Sequence, residues 1–388
     1  MSNGISIIVG YRNRDSIRVK RYFDSLVNQS STDFELIFVD YGSDCEISNE
    51  IKLLTSQYDF CNYIYNDTRG WPWNRSHALN SGLKVATGEY VLFSDIDLIY
   101  SSDFIATLLK YADPKKQLFK QFYLLPNTYN YQTASIKIEE NFGITAYGTK
   151  GAIHLVSREE LLHINGFDEF YCFWGLEDND LFSRLDQQGL KEEWIPLEES
   201  PVYHQWHPIV SNQKPFFFPD KWYEQMQLYF HLNKKNVIRN QSITWGIILG
   251  KTSREIFNRK IEKQVNIPDK IVLNTKSELL KAIIEDLNNL DSEEYISIYI
   301  PIPNKPEKYS NKIVSTILIN LNKLLSRDTV NINNKYIKHI ERLASYNKAI
   351  LIPEIDLYFV VWQLIKFETI IKDYTLHIDN DSIKIKLC

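Results

Sequence analysis

The stretch FWGLEDNDLFSRL, Phe173 to Leu185, sets Glu177, Asp178 and Asp180 within four positions, directly after Trp174-Gly175 and directly before an apolar pattern. Like charges this close repel, so the arrangement needs a compensating environment. Leu181, Phe182 and Leu185 have helical spacing, which places the carboxylates in or beside a first helical turn. Free amides and the helix dipole there stabilise negative charge by about 0.3–1 kcal/mol per group, so a helix start alone would account for them. A helix start does not require an indole and a glycine just upstream. An aromatic wall beside a carboxylate suits a pyranose held while a proton leaves one of its hydroxyls.

A second acidic motif, SDIDLIY, puts Asp95 and Asp97 two apart at the end of an apolar strand, where both reach the same end of a sheet. Hard carboxylate oxygens beside a crevice can hold a divalent cation, and through it a diphosphate. A strand-ending Asp turn explains the same residues without function. In VYHQWHP, His204 and His207 are candidates to complete the metal shell. On a regular strand they would point to opposite faces, and one alone could ligate.

Further candidates follow strands. Arg12 and Arg14 in GYRNRDS offer forked donors for phosphate, or are solvated loop arginines. Asp40, closing LIFVD, could accept from a nucleobase or ribose, or start the turn Asp40-Tyr41-Gly42. Arg75 and His77 in WNRSHALNSGL could approach a phosphate, or Asn74 and Ser76 cap a helix there.

These motifs need a scaffold that brings strand ends together. Ile5–Val9, Glu35–Asp40, Asn62–Tyr65 and Tyr90–Ser94 read as strands. Helical patterns lie between them: one opening at Ser16 with Val19, Phe23, Leu26 and Val27 on one face, then Ile47–Leu54 and Ser76–Ala86. Such alternation implies an α/β fold, with parallel strands between two helical layers and ligands beyond the C-terminal strand ends. Residues 110–149 are less regular. Helix signals return at Ser157–Ile164 and Asp220–Leu232, with a strand near Val202–His204.

After residue 235 the composition shifts toward Ile, Lys and Asn and the acidic-aromatic motifs stop. A domain boundary is expected there: 1–235 carries the chemistry, and 236–388 is a smaller α+β accessory domain. Its expected elements are a helix over Thr275–Leu290 with a Thr275–Glu278 capping box, a strand Tyr295–Ile302, a helix Glu354–Lys372, and a hairpin Leu376–Leu387 turning at Asp379–Asp381.

The chain of 388 residues, 44% hydrophobic and 24% charged, has an ordinary globular balance. A net charge of −5 argues against nucleic-acid binding, which needs a basic surface. Cys45, Cys61, Cys172 and Cys388 lie far apart, indicating neither a zinc site nor a disulfide framework. The N-terminus reads as a strand, not a signal peptide. No apolar run reaches roughly 18 residues, so a soluble cytoplasmic protein is expected, with peripheral association at the inner membrane face allowed.

In order and spacing, GYRNR, NRSHALNSGL, FSDIDLIYSSD, INGFDEF and FWGLEDNDLFSRL resemble the β-1,4-galactosyltransferase family and the related bacterial chondroitin-polymerase-type transferases, over roughly residues 5–235. The resemblance implies a GT-A type nucleotide-sugar-binding fold and transfer with inversion. It matches Arg12 and Arg14 to nucleotide contacts, Asp95 to the ribose-side aspartate and Asp97 to a metal ligand. Asp178 matches the general base, Glu177 a sugar contact beside it, and Trp174 the tryptophan of a mobile loop. His207 has the spacing of the family's metal histidine and His204 that of its other side-chain ligand; the chondroitin-type setting favours His204, so both are retained. The glycine-rich patch before the loop is reduced to Lys150–Ile153. Thr149 aligns with an aromatic gatekeeper, and its smaller side chain leaves room for an N-acetyl group, favouring Gal or GalNAc donors.

The expectation is therefore an enzyme that uses Mn²⁺ (or Mg²⁺) to transfer a hexose or N-acetylhexosamine from a UDP-sugar to a glycan or lipid-linked glycan hydroxyl, in bacterial surface polysaccharide synthesis. A non-catalytic sugar-nucleotide or glycan-binding module is one alternative. A sugar nucleotidyltransferase, which would release pyrophosphate, is another.

Overall fold

The computed structural model describes residues 4–132, 135–173, 175–208, 220–241, 243–250, 253–264, 283–301, 365, 371–378 and 382–388. The chain divides into two compact units, Met1–Arg254 and Glu255–Cys388.

The first unit opens with β1 (Ile5–Tyr11), α1 (Ser16–Val27), β2 (Phe34–Asp40), α2 (Cys45–Thr55), β3 (Cys61–Tyr65), α3 (Arg75–Leu83) and β4 (Tyr90–Ser94). Strand β1 is apolar on both faces because both are covered, the pattern of a parallel strand between helical layers. Its Ile5, Ile7 and Val9 join Tyr22 and Phe23 of α1 in one core, and Ile8 joins Ala78, Leu79 and Leu83 of α3 in the other. Asp15 caps α1 by accepting from the Arg18 amide. Val27, expected on the buried face, is 56% exposed; eight residues after Val19 it has turned about 80° off the stripe.

Then come β5 (Leu98–Tyr100), α4 (Phe104–Tyr111), β6 (Lys116–Lys120), β7 (Tyr123–Leu124), β8 (Gly143–Ile144), β9 (Ile153–Ser157), α5 (Arg158–His163), α6 (Glu177–Gln187), β10 (Lys191–Ile195), β11 (Val202–His204) and α7 (Asp220–Asn233). The main sheet has seven strands in the order β10-β6-β9-β4-β1-β2-β3. It is mostly parallel, β9 running antiparallel to both β4 and β6. The α/β class expected from the sequence is met, with a second half, β9-β6-β10, that the strand–helix alternation did not disclose. A small sheet, β5-β11-β7-β8, lies in the same unit.

The segment after residue 235 still belongs to this unit. Asn66 Oδ1 accepts from the Leu249 amide at 2.9 Å, the Asp67 amide donates to the Leu249 carbonyl at 2.8 Å, and Arg254 donates to the Asp67 and Arg69 carbonyls. The shift in composition thus precedes the division between units: these polar contacts hold the segment down together with Trp245, which is buried in the same core as Leu79 and Leu83 of α3.

In the second unit, β12 (Ile261–Gln264), β13 (Glu294–Pro301), β15 (Ser382–Leu387) and β14 (Tyr374–Ile378) form one sheet in that order. The expected strand at 295–302 is β13, and β14 with β15 are the antiparallel arms of the expected hairpin. Residues 283–288 are helical. The turn Asp379–Asp381, the Thr275–Glu278 box and nearly all of the helix expected at 354–372 lie outside the described residues. Among the described residues no helix is long and apolar enough to cross a membrane.

Helix α3 approaches β1 through Gly82, where an added Cβ would collide with Cγ2 of the fully buried Ile8. Gly82→Val is expected to destabilise the first unit by about 2–3 kcal/mol through overpacking. Urea unfolding followed by tryptophan fluorescence checks this; an unchanged midpoint would contradict the close packing of α3 on β1.

Candidate active site

Sheet pairing assembles the site at the C-terminal end of β4. Antiparallel pairing sets Ser94 opposite Ile153, and the Asp95 amide donates to the Ala152 carbonyl at 3.1 Å, so the Gly151 turn lies beside the SDID motif. Pairing of β5 with β11 sets Leu98 opposite His204, and the Gln205 amide donates to the Asp97 carbonyl at 2.8 Å.

Asp97 thereby meets both histidines. His204 Nε2 is 3.4 Å from its Oδ1 and His207 Nε2 is 3.0 Å from its Oδ2. The alternation argument that only one imidazole could reach the site fails because β11 ends at His204 and His207 follows in irregular backbone. Phe122 stacks on the His204 ring, centroids 5.6 Å apart. His207 Nδ1 donates to the Pro208 carbonyl at 2.9 Å, which leaves Nε2 as the nitrogen facing Asp97. One ligand atom from each of Asp97, His204 and His207 lies within 4.8 Å of the others. Asp97 Oδ1 is buried and accepts no hydrogen bond among the described residues. A carboxylate flanked by two imidazoles, with one oxygen orphaned, fits a divalent cation.

The neighbouring carboxylates have different partners. Arg75, first residue of α3, donates to Asp178 Oδ1 at 2.8 Å and to the Gly151 carbonyl at 2.7 Å, and lies 3.5 Å from Asp95 Oδ1. Asn74 sets the start of α3, accepting from the His77 amide and donating to the Glu169 carbonyl, both at 2.9 Å. The Phe173 amide donates to the Trp73 carbonyl at 2.8 Å, which draws the loop before α6 onto the same helix start. Gly151, with φ +110°, passes so close to Asp178 that a Cβ there would strike the carboxylate.

These contacts separate the titrations. Asp178 is pushed up to about 7, burial being the main cause; Arg75 opposes it, and Glu177 and Asp95 add to it. Burial also raises Asp95, with Arg75 opposing and Asp97 adding. Asp97 is held below the usual carboxylate range, since the His207 hydrogen bond and the two histidines outweigh its burial. Burial disfavours charge on Arg75, but Asp178, Asp95 and Glu177 together raise its pKa.

The other expected residues are placed as follows. Glu177 is buried at the first position of α6. Arg12 donates to the carbonyls of Tyr41 (2.5 Å), Trp71 (2.7 Å) and Thr68 (3.1 Å), and lies 4.8 Å over the Tyr41 ring. It ties the end of β1 to the 68–71 loop. Arg14 is half-buried after β1. Asp40 is fully buried, accepting from the Ser43 amide and the Tyr63 hydroxyl. His77 is held between the Tyr41 hydroxyl and the Ile247 carbonyl, both at 2.9 Å. Thr149 is exposed in the turn before Gly151. Trp174 lies outside the described residues. Gly151, whose contact defines one wall of the site, drew no attention in the sequence beyond the reduced glycine patch.

Residues 6–151 match the model of glycosyl transferase family 2, and residues 134–208 match that of the N-terminal domain of galactosyltransferase. Residues 6–151 are thus similar to family 2 glycosyl transferase domains, and the mostly parallel α/β sheet of the first unit agrees with the GT-A type expected from the sequence. The chain is similar to β-1,4-galactosyltransferase 4 of Homo sapiens, with 30% identity over 155 residues, covering 39% of this chain and 40% of that protein. It is also similar to rhamnosyltransferase WbbL of Escherichia coli, with 22% identity over 263 residues, covering 61% of this chain and 95% of that one. The chain spans well under half of the first of these relatives. A solved structure of GalNAc-T7 with UDP, GalNAc and Mn²⁺ superposes with a TM-score of 0.42 at 15% identity, over 53% of this chain and 44% of that one.

Removing the bridging cation should expose the repulsion it masks. Arg75→Met is expected to cost on the order of 2 kcal/mol, a buried-pair figure reduced for partial exposure. The loss should shrink near pH 5, where the unpaired carboxyls take up protons. Urea unfolding at pH 5 and pH 8 measures both; equal losses at the two values would contradict the charge-bridging role.

Proposed function

We propose that this chain, through its family 2 glycosyl transferase domain, transfers a sugar from a nucleotide-diphosphate donor to a hydroxyl of a glycan or lipid-linked glycan, with inversion. The observation that carries this reading is that one guanidinium, Arg75, joins Asp95 of the SDID motif to Asp178 of α6, two positions from an Asp97–His204–His207 group fit for a cation. A cation group beside a carboxylate of raised pKa is what displacement of a diphosphate by a hydroxyl requires.

In this reading Asp178 accepts the proton of the acceptor hydroxyl as its oxygen forms a bond to the anomeric carbon. The bond from that carbon to the diphosphate oxygen breaks, and its electron pair leaves with the nucleotide. Attack opposite the leaving group inverts the centre. A divalent cation held by Asp97, His204 and His207 would neutralise the diphosphate and ease its departure. Asp95 faces the same end of the sheet and is assigned to the ribose. Glu177, buried beside Asp178, is assigned to a sugar hydroxyl, and Arg14 to the nucleotide. Arg12 and Asp40 would act by shaping the nucleotide pocket, since their polar atoms are engaged by the chain itself.

UDP-Gal or UDP-GalNAc is the favoured donor, on the β-1,4-galactosyltransferase resemblance and the small exposed Thr149. A deoxyhexose donor is the second reading, favoured by the long match to a protein named as a rhamnosyltransferase. Release of nucleotide diphosphate from a donor panel, with Mn²⁺ and simple sugar acceptors, separates these. It also separates an enzyme from a binding module, which releases none, and from a nucleotidyltransferase, which yields pyrophosphate.

Asp178→Asn should lower turnover by about 10²–10⁴-fold, the usual reach of general-base assistance, with UDP affinity retained. The base must be ionised, so kcat/KM of the native chain should fall as pH drops below about 7, and the variant should lack that limb. Steady-state rates from pH 5.5 to 8.5 test both; unchanged turnover would remove Asp178 from its role. Asp97→Ala should abolish Mn²⁺-dependent UDP binding in calorimetry, and retained binding would remove the cation site.

A further inference from the structure

The third carboxylate of the EDND run takes no part in the cleft. Asp180 is 1% exposed, and two positions along a helix turn it about 200° from Asp178. Its Oδ2 accepts from Arg184 Nε at 2.7 Å and its Oδ1 from Arg239 Nη2 at 2.9 Å. Arg239 Nε lies 3.0 Å from Asp168 Oδ2 as an ion pair, and that oxygen accepts from the Tyr229 hydroxyl at 2.8 Å. Arg184 Nη2 donates to the Gly166 carbonyl at 2.8 Å and Nη1 to that of Ile164 at 3.2 Å. Two acids and two guanidinium groups, each at most 4% exposed, therefore form a charge-balanced cluster. It joins three segments: the Ile164–Asp168 turn, the first turn of α6, and the chain from Tyr229 to Arg239.

Beyond the Arg75 contact to Asp178 and the Phe173–Trp73 bond in the loop before it, the start of α6 lacks the usual helix-start fixings. Its N-cap, Leu176, has φ 71° and makes no side-chain cap. Phe173 and Gly175 before it also have positive φ, 70° and 103°. A helix entered through left-handed backbone and lacking a cap is free to shift unless something inside anchors it.

We propose that Asp180, held by Arg184 and Arg239, is a positioning residue that sets the rotation and depth of the first turn of α6, and thereby the place of Asp178 in the cleft. This rests on the reading of Asp178 as the base. A 1 Å error in such a group costs about 10²-fold in rate without affecting donor binding.

The test uses the full chain carrying Asp180→Asn, alone and with Asp178→Asn. Turnover is read with whichever of UDP-Gal or UDP-GalNAc the native protein consumes. The Asp178 carboxyl titration is read by ¹³C NMR, and Mn²⁺-dependent UDP binding by calorimetry. Asp180→Asn should lower kcat about 10²-fold with UDP affinity and donor KM held. It should move the Asp178 titration down from about 7 toward an ordinary carboxylate, and should add no loss in the Asp178→Asn background. An unmoved titration, an equal loss in both backgrounds, or a matching loss of UDP affinity would overturn the proposal. Should Asp180→Asn not fold, Arg239→Lys keeps the charge but loses the forked contact, and the same three readings apply. Normal turnover of Asp178→Asn would sink the base assignment instead, with the NMR titration still reporting whether Asp180 sets the position of that carboxyl.

Discussion

Arg75 stands between Asp95 at the end of β4 and Asp178 in the first turn of α6, 3.5 and 2.8 Å from them, and the cleft depends on that charge. The two carboxylates come from separate segments of the chain, and each is made costly by burial and by its acidic neighbours. A partly buried carboxylate with no cation would stay protonated or turn to solvent. A guanidinium with a fixed fork of donors reaches both acids and the Gly151 carbonyl at once, which a lysine ammonium could not do with the same geometry. The capping of α3 by Asn74 and the tie from Trp73 to Phe173 then serve one end, keeping that fork where the acids converge.

Within the SDID motif the two aspartates diverge. Asp97 faces two imidazoles and is held ionised, while Asp95, two residues earlier, faces Arg75 and is raised. Two carboxylates sharing one cation would compete. Here each has its own counter-group, so a metal could be bound on the histidine side without disturbing the Arg75 bridge. The same division keeps Asp178 close to a cation yet able to take up a proton near neutrality, the compromise that its proposed role as general base needs.

Much of this was legible in the sequence because it is local. The four leading strands announced themselves as apolar β-branched runs, and the acids and histidines by their spacing. The second half of the main sheet was hidden for physical reasons. Strand β9 (IHLVS) is buried on both faces and so shows no alternation, and it carries a histidine, His154, in its middle. Strand β10 (KEEWI) is an edge strand whose charges guard an exposed side, and such strands look like loops. The Arg75–Asp178 pair spans 103 positions, and nothing local signals it. The Asp180–Arg184 pair has i, i+4 spacing but was not read from the sequence, and its closure by Arg239 and Asp168 depended on the fold.

The crowding in EDND is resolved by geometry more than by the helix dipole. Successive helical positions turn about 100°, so residues adjacent in the chain face different surroundings. Asp178 faces Arg75 in the cleft, while Asp180 enters the interior and meets Arg184 and Arg239. The dipole adds at most about 1 kcal/mol per group, and it acts alike on all three, so it cannot assign them different roles. Distinct cations can. The acidic run both opens a helix and edges the candidate site, because the helix turns Asp178 toward Arg75 in the cleft and Asp180 into the interior, where Arg184 and Arg239 hold it.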